Sequence, residues 1–380
     1  METVYLDNSS TTKIDDLVIE TMKPFLSEKY GNASSIHALG IEAKKALEDS
    51  RKIIADSINA DLGEIIFTSS GTESNNLALK GIAFANREKG NHLITTKIEH
   101  KSVLETCKWL ETQGFEITYL NVDSEGFINL EELEKSITPQ TILVSVIHGN
   151  NEIGTIQDIE AIGQICKEKD IYFHTDACQS FTKTLIDAEK QNISLMSLNS
   201  HKIHGPKGVG ALYVKKGVKI DSLLHGGGQE SGIRSGTEDI HGIVGFAEAV
   251  KLVDKKYVDL MIDLRDKLIE GILKIPDSRL NGAAGRERLC NNVNVSFRKV
   301  EGEAICGLLD EERVCASTGS ACAEKTLDPS HVLSALGLIH EDLNGSLRLT
   351  LSKFTTEEEI DYVVRILPGI INKLRELSPL

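Results

Sequence analysis

The chain has 380 residues, of which 40% are hydrophobic and 26% are charged, and its net charge is −15 at pH 7. This length allows one large α/β domain and a smaller one, and the composition is ordinary for a globular enzyme. The negative charge argues against general binding to nucleic acids or anionic membranes.

Short β-branched segments alternate with helical patterns from about residue 60. The strands predicted here cover residues 64–68, 92–96, 115–120, 141–146 and 171–175, and helices are predicted from about Leu77 and over residues 102–110. This alternation is typical of a mostly parallel sheet flanked by helices. Ligands bind such sheets outside the carboxyl ends of their strands, so the polar residues there are candidate site residues.

The pattern changes beyond about residue 250 and predicts a smaller α+β domain. Its elements are a charged helical stretch over 251–274, strands over 291–297 and 346–351, and a C-terminal helix over 356–377. We expect the N-terminal segment to cross back to this part. The predicted boundaries are residues 13–255 for the large domain, and residues 1–12 with 256–380 for the small one.

The cysteines and the first residues indicate a cytoplasmic protein. Seven cysteines, spread thinly and without a Cys-x-x-Cys, do not predict a disulfide framework. The closest pair, Cys315 and Cys322, fits common zinc spacings poorly, so we predict no metal site. The sequence has no apolar run long enough for a bilayer and does not begin like a signal peptide.

Lys202 stands in Ser200-His201-Lys202, between an apolar segment and a Gly/Pro-rich loop. Burial lowers the pKa of a lysine, and an amine that is neutral near pH 7 can form a Schiff base with an aldehyde. The alternative is an ordinary solvated lysine. Residues elsewhere in the chain decide between the two.

Two segments are candidate anion sites. Residues 68–76 form a Ser/Thr/Gly-rich loop before a helix, where free backbone N–H groups suit phosphate, although such loops are also ordinary helix caps. Residues 225–237 contain many glycines, and Arg234 with Thr237 could serve an anion there. A mobile surface loop is the alternative for the second segment.

Polar residues near strand ends suggest contacts to an aromatic ligand. His100 could stack on a ring or move protons, or be a plain loop histidine. Asp176 closes a strand where an unpaired carboxylate would be costly, and either a pyridinium nitrogen or a helix cap would explain it. Gln179 would face the same cleft. Asn151 could bind a ligand oxygen or form a turn.

Arg348 and Cys322 complete the set. An inward-facing arginine in the strand over 346–351 could clamp a carboxylate by two hydrogen bonds, while an outward-facing one would be solvated. Cys322 lies among small residues, where a nucleophile could move, or it is an inert thiol. Together these residue types specify pyridoxal 5'-phosphate acting on an α-amino acid.

The motifs over 200–207 and 317–322 resemble those of cysteine desulfurases of the NifS/IscS type, within the class V aminotransferase group of pyridoxal phosphate enzymes. The resemblance runs nearly end to end, from residues 5–8 through 31–37 to 354–360. It implies the aminotransferase-like fold of type I and a homodimer. It also implies conversion of L-cysteine to L-alanine, with the sulfur left on an enzyme cysteine as a persulfide.

The same resemblance implies a role for each residue towards the cofactor. Lys202 would carry the cofactor as a Schiff base and remove the α-proton, and His100 would stack on the ring and transfer protons. Asp176 would pair with the pyridine nitrogen, and Gln179 with the ring hydroxyl. Thr72 and His201 would contact the phosphate, together with Thr237 from the second subunit of the homodimer.

Towards the substrate, the resemblance implies that Asn151 and Arg348 hold the cysteine carboxylate and that Cys322 accepts the sulfur. The sequence also departs from the family. Asn199 replaces a serine that contacts the phosphate, and its amide can still donate a hydrogen bond. Further departures are Ser9-Ser10, where the family usually has two alanines, and Ser352-Lys353, where it has Gly-Arg.

Other functions remain open at this point. A selenocysteine lyase makes similar demands on the site, and an ordinary class V aminotransferase would not need Cys322. A non-enzymatic sulfur-transfer or iron–sulfur scaffold is a third alternative, against which the presence of Lys202 argues. The expected sulfur acceptor is an iron–sulfur scaffold protein, with tRNA- or cofactor-thiolation proteins as alternatives.

Overall fold

The structure is a computed structural model that describes residues 3–318 and 330–377. The strands in these ranges are β1 (Val4–Tyr5), β2 (Ile65–Thr68), β3 (His92–Thr96), β4 (Glu116–Leu120), β5 (Thr141–Ser145), β6 (Tyr172–Asp176), β7 (Leu195–Asn199), β8 (Gly210–Val214), β9 (Ser278–Leu280), β10 (Asn292–Phe297), β11 (Val314–Cys315) and β12 (Ser346–Thr350). The helices are α1 (Asp16–Ser27), α2 (Ala38–Asp56), α3 (Gly71–Ala85), α4 (Lys101–Thr112), α5 (Leu130–Ser136), α6 (Ile159–Glu168), α7 (Ile240–Lys251), α8 (Lys255–Ile272), α9 (Gly302–Glu311), α10 (His331–Ala335), α11 (His340–Asn344) and α12 (Glu357–Leu377).

A seven-stranded sheet in the order β2-β8-β7-β6-β5-β3-β4 forms the centre of the α/β region. The five strands from β7 across to β4 run parallel, whereas β8 is antiparallel to both β7 and β2. Most strands are buried along their whole length, as expected when helices cover both faces of a sheet. The predicted mostly parallel sheet flanked by helices is therefore confirmed.

Alternate residues of each strand enter different apolar clusters on the two faces of this sheet. Ile65 and Phe67 pack in one cluster with Phe246 of α7, while Ile66 packs in the other with Leu110 of α4. This follows from the two-residue period of a strand, and each such buried side chain contributes roughly 1.5–3 kcal/mol. The sheet is thus fixed in register, and its carboxyl edge is a rigid base for polar side chains.

The C-terminal region has its own apolar core around the antiparallel strands β12-β10-β9 and the helices α8, α9 and α12. The N-terminal segment crosses back to it as expected, because β1 pairs with β11 and Asp7 pairs with Thr350. The domain boundaries at residues 12/13 and 255/256 stay a prediction. Within the described residues, no helix is long and apolar enough to cross a membrane.

One local prediction is wrong. The loop expected over residues 69–76 ends at Ser70, and α3 begins at Gly71 rather than at about Leu77. The Ser70 hydroxyl caps the helix by accepting a hydrogen bond from the backbone N–H of Glu73 at 3.2 Å. The buried side chains of Ser74 and Asn75 make polar contacts from within the helix, which offsets their weak helix propensity.

Candidate active site

The parallel strands β6 and β7 end side by side at the carboxyl edge of the sheet, with Asp176 paired in register with Ser197. A single helical turn over Ser200–Lys202 follows β7, and the Asn199 side chain caps it by accepting from the His201 N–H at 3.2 Å. The chain then returns as β8. Lys202 therefore lies directly at the strand ends, where ligands bind in α/β sheets.

The Lys202 amine donates hydrogen bonds to two backbone carbonyls of the N-terminal segment, those of Ser9 and Ser10. Burial lowers its pKa from the usual value to about 8, and the nearby cations Arg348 and Lys183 act in the same direction. A lysine with this pKa has a substantial neutral fraction near neutral pH, which Schiff-base formation requires. The sequence-based expectation of a reactive amine has a physical basis here.

A hydrogen-bond network joins Asp176 to His100. The buried Asp176 carboxylate accepts from Asn75 Nδ2 at 2.7 Å and from the Cys178 N–H at 2.9 Å. Asn75 also donates to Ser102 Oγ at 2.8 Å, and this hydroxyl lies 2.8 Å from His100 Nδ1. Two side chains from different strand ends are thereby held at a fixed separation.

The same network sets the tautomer of His100. The Ser102 backbone N–H donates to Nδ1 at 3.1 Å, so the neutral ring carries its proton on Nε2. Burial lowers the pKa of His100, Asp176 opposes this shift, and Lys202 adds to it. The neutral imidazole with an Nε2 proton is suited to stack on a ring and to exchange a proton.

The buried side-chain amide of Gln179 forms a hydrogen bond through its nitrogen but not through its oxygen. Its Nε2 donates to the Ser9 carbonyl at 2.9 Å, while its Oε1 has no hydrogen-bond partner in the described part of the chain. A buried amide oxygen without a donor is costly. A ligand hydroxyl at this position would satisfy it.

The start of α3 forms a close cradle opposite Asn199. A Cβ placed on Gly71 would lie 2.5 Å from Cys178 Sγ and 3.4 Å from Asn199 Nδ2, so a side chain at residue 71 would collide with Cys178. Thr72 is exposed in the first turn. Free N–H groups at a helix N-terminus and a neighbouring amide NH₂ are suitable donors for phosphate.

His201 lies on the other side of the Asn199 turn, with Nδ1 at 3.1 Å from Thr11 Oγ1. Burial lowers its pKa to about 3, and the cations Lys202, Lys207 and Lys183 add to the effect. The ring is neutral at physiological pH. Any phosphate contact from His201 would therefore be a neutral hydrogen bond.

Arg348 of β12 is 3% exposed and brings the C-terminal region into the site. Its Nη1 donates to the Asn151 carbonyl at 3.1 Å, and its Nη2 donates to Asp7 Oδ1 and Ser10 Oγ, both at 2.9 Å. Its Nε is buried and has no partner among the described residues. The predicted pair of Asn151 and Arg348 is thus in contact, through a backbone carbonyl.

Two predicted residues are not brought into this cluster. Thr237 is exposed. In the same segment, Glu230 forms an ion pair with Arg51 at 2.7 Å, and Arg234 forms one with Glu73 at 2.9 Å. Arg234 is therefore engaged by a carboxylate of its own chain. Cys322 lies outside the described residues.

Several residues of the site were missed in the sequence. Asn75 lies within the loop predicted over residues 68–76 and Ser102 begins the helix predicted over 102–110, but nothing in their local pattern indicates that they connect Asp176 with His100. Cys178 was visible only as one of seven thiols; its backbone N–H donates to Asp176, and its Sγ lies close to Gly71. Asp7 lies far from Arg348 in sequence, with a separation of 341 positions, so no local signal could have joined them.

The residues present fit pyridoxal phosphate. An amine with a lowered pKa, a buried carboxylate, an unsatisfied amide oxygen on Gln179 and a helix N-terminus match an aldehyde, a pyridine nitrogen, a ring hydroxyl and a phosphate. The buried Nε of Arg348 is additionally free for a carboxylate. The roles of the individual residues stay predictions.

Comparisons with known proteins identify the family of the chain. Residues 4–363 match the family model described as aminotransferase class-V. Over 99% of this chain and 94% of the relative, the sequence is 53% identical to a protein of Methanosarcina thermophila named cysteine desulfurase IscS. A solved NifS-like protein superposes with a TM-score of 0.91 at 40% identity, covering 98% of this chain and all of the other.

A second solved structure, named SspA in complex with cysteine, has a TM-score of 0.84 at 39% identity and covers 93% of this chain and 100% of its own. The family match extends over most of the chain, and the resemblance found in the motifs is confirmed. The chain belongs to the class V aminotransferase family of pyridoxal-phosphate-dependent enzymes.

Proposed function

We propose that this site converts L-cysteine to L-alanine and transfers the sulfur to Cys322 as a persulfide. Relatives that match along the full length are named cysteine desulfurases, and this protein is a cysteine desulfurase. The observation that supports the residue assignment best is a convergence. The Lys202 amine and the Arg348 guanidinium both bind the segment over residues 7–10, so one small α-amino acid can reach both.

When bound, pyridoxal phosphate withdraws electrons from the α-carbon of the amino acid. Lys202 would attach it, Asp176 would hold a positive charge on its ring nitrogen, and Gln179 would accept from its ring hydroxyl. The start of α3 with Thr72, together with Asn199 and His201, would bind the phosphate. The Asp176 carboxylate is oriented for this role by Asn75 and by the Cys178 N–H.

Two groups of this chain can move protons in the reaction. The Lys202 amine is the base for the α-proton, since its lowered pKa makes it neutral in a fraction of molecules at pH 7. His100 has its Nε2 proton available, because Ser102 occupies Nδ1. Arg348 and Asn151 would hold the substrate carboxylate and fix the α-carbon between them.

The sulfur step follows from simple accounting of bonds. The Cys322 sulfur bonds to the substrate sulfur, the bond between the substrate Cβ and its sulfur breaks, and the carbon retains the electron pair. Protons then complete the methyl group of alanine, and Cys322 retains the outer sulfur as a persulfide. No external oxidant or reductant is required. A further thiol must accept this sulfur before the next turnover.

The proposal extends to partners and location. Thr237 is exposed in the single chain. A residue that contacts the phosphate bound by a partner subunit would be exposed in this way, so its exposure supports a homodimer. An iron–sulfur scaffold protein is the proposed sulfur acceptor. Six cysteines within the described residues are free thiols, which suits a reducing compartment such as the cytoplasm.

The reaction is tested by incubating the holoenzyme with L-cysteine and measuring alanine, sulfide and a persulfide on Cys322. The Cys322→Ala variant is expected to bind cysteine but form neither persulfide nor alanine, while Cys306→Ala, a control on α9, is expected to form both. Absence of alanine from the parent enzyme would overturn the proposal. Transamination by Cys322→Ala at the parent rate would identify an ordinary aminotransferase instead.

The homodimer is tested with mixed subunits. Thr237→Ala should weaken cofactor binding at both sites of a dimer, and Lys202→Ala should prevent covalent attachment. A hybrid of the two variants contains one site with both residues intact, so tight covalent binding should return at half of the sites. If mixing restores nothing, Thr237 does not act across subunits.

The sulfur acceptor is tested by adding a purified iron–sulfur scaffold protein to the persulfide-loaded enzyme. When the persulfide is formed from cysteine with labelled sulfur, the label is expected to leave Cys322 and appear on scaffold cysteines, as measured by mass spectrometry. Retention of the label on Cys322 in the presence of the scaffold would contradict this acceptor.

A further inference from the structure

Two residues of the N-terminal segment occupy the Arg348 nitrogen that a two-point contact to a carboxylate would use. A guanidinium has five N–H groups, and both of its two-point arrangements, Nε with Nη2 and Nη1 with Nη2, use a hydrogen on Nη2. Nη2 already donates to two acceptors, Asp7 Oδ1 and Ser10 Oγ, each at 2.9 Å. The Nε–H is buried and unpartnered within the described residues.

Asp7 and Ser10 act on Arg348 as one unit. The Ser10 hydroxyl donates to Asp7 Oδ1 at 2.8 Å, and the Ser10 N–H donates to the Asp7 carbonyl at 3.0 Å. The hydroxyl thus accepts from Arg348 and donates to Asp7, which closes a triangle. An alanine at residue 10 would have no hydroxyl for this contact.

Asp7 is more exposed to water than Arg348, so it is the partner that can move away. The Asp7 side chain is 22% exposed, whereas that of Arg348 is 4% exposed. Asp7 can therefore turn towards water without leaving a buried unpaired charge, since a carboxylate is readily hydrated. An arginine left without a partner in its buried position would be far more costly.

We propose that Asp7 and Ser10 form an internal cap on Arg348, and that the carboxylate of the incoming amino acid must displace this cap from Nη2 to bind. The inference rests on the proposed role of Arg348 as the carboxylate anchor. Ligands without a carboxylate bind without displacing the cap. Asp7 and Ser10 thereby set the apparent affinity for the substrate, as positioning residues that act through Arg348.

The first test is Ser10→Ala, which removes one of the two acceptors on Nη2 and keeps the carbonyl that binds Lys202. Removing one neutral hydrogen bond that must otherwise be broken should tighten binding of 3-mercaptopropionate to the holoenzyme about fivefold, measured by calorimetry. This ligand has the carboxylate and thiol of cysteine but no amine. The KM for L-cysteine should fall by more than kcat changes.

Asp7→Asn tests the charge. An amide oxygen can still accept from Arg348, so the fold is kept, while a charge-assisted contact is replaced by a neutral one and the affinity for 3-mercaptopropionate should rise about tenfold. Binding of cysteamine, which lacks the carboxylate, should respond to neither substitution. The informative quantity is the ratio of the affinities for the two ligands.

Two controls match these changes. Ser9→Ala removes a neighbouring hydroxyl that is buried and has no partner among the described residues. Asp15→Asn alters another carboxylate of the N-terminal part, which pairs with Lys353 at 2.6 Å. Both are expected to leave the ratio of 3-mercaptopropionate to cysteamine affinity at the parent value.

The outcomes separate this inference from the proposed function. If Arg348→Gln retains the parent affinity for 3-mercaptopropionate, Arg348 is not the anchor and both proposals about it fail. If Arg348→Gln weakens binding while Ser10→Ala and Asp7→Asn fail to tighten it, the anchor stands and the cap is overturned. Tightening in both variants, with the controls unchanged, supports the cap.

Discussion

The two sides of the site are built in different ways. One side, here called the cofactor wall, consists of Asp176, Asn75, Ser102 and His100, and it stands on strand ends and helix starts of the seven-stranded sheet. The other, the substrate wall, consists of Asp7, Ser10, Asn151 and Arg348. It joins the N-terminal segment and β12 to the turn after β5.

Each wall has a buried polar atom without a partner among the described residues, Asn75 Oδ1 in one and Arg348 Nε in the other, but the charged side chains of the two walls are paired differently. Asp176 accepts two hydrogen bonds from groups fixed by the sheet and α3, and no substrate is needed to hold it. Arg348 instead donates to the cap of Asp7 and Ser10, and the Asp7 side chain is 22% exposed. A resident cofactor needs a preorganised platform, whereas a substrate that comes and goes needs groups that can exchange partners.

The largest expected effect is on the cofactor side. Lys202→Ala removes the amine that attaches pyridoxal phosphate, so we expect activity to fall by about 10³-fold or more and the visible absorbance of the bound cofactor to shift to that of a non-covalent complex. Lys207→Ala changes an exposed lysine of the same loop and serves as the control. Covalent binding by Lys202→Ala would contradict the assignment.

The second-largest effect is expected from a substitution in the substrate wall alone. Arg348→Gln removes the buried cation, and the KM for L-cysteine should rise about 100-fold, which corresponds to about 2.7 kcal/mol. Affinity for pyridoxal phosphate, measured by titration of absorbance, should change little in comparison. An equal loss for cofactor and substrate would show that the two walls are not separable.

Asn75→Ala tests whether the cofactor wall is as rigid as its hydrogen bonds indicate. It removes the donor shared between Asp176 and Ser102, so Asp176 and His100 lose their common support, and cofactor binding should weaken about 30-fold. The pH dependence of turnover should also shift, because His100 is no longer held by an oriented Ser102. A purely structural role would lower stability without changing the pH profile.

The smallest effect concerns pH. Burial lowers the pKa of Lys202 to about 8. Since only the neutral amine attacks an aldehyde, the rate of covalent cofactor attachment to cofactor-free enzyme should rise about tenfold from pH 7 to pH 9 and then level off. Stopped-flow absorbance measures this rate. A continued rise beyond pH 10 would indicate an unshifted lysine and a more open cofactor wall.

Much of the cofactor wall could be predicted from the sequence, because strand ends in a parallel sheet have a local signature. The predicted strand over 92–96 matches β3, and Asp176 was placed at the end of its strand. The start of α3 was missed, since Ser70 and the polar residues after Gly71 have weak helix propensity and only the buried contacts of Asn75 explain the helix.

The substrate wall was far less predictable. The sequence predicts Arg348 as a candidate because an inward-facing arginine in a strand could clamp a carboxylate, but it does not identify Asp7 as the residue that Arg348 contacts. Their contact depends on β12 and the N-terminal segment meeting, which is a property of the tertiary fold. In the sequence Ser10 stands out only as a departure from the family pattern, and its contact with Arg348 gives that departure a structural role.

The reversal of direction at β8 has a mechanical consequence for Lys202. In a parallel sheet the chain normally leaves a strand through a helix and returns at the opposite edge, which gives its loop freedom to shift. Here β8 pairs antiparallel with β7, so the short segment that holds Lys202 is clamped at both ends on a single edge. We expect the backbone of Lys202 to stay fixed through a catalytic cycle. The amine would then move between its partners only by rotation about the side-chain bonds.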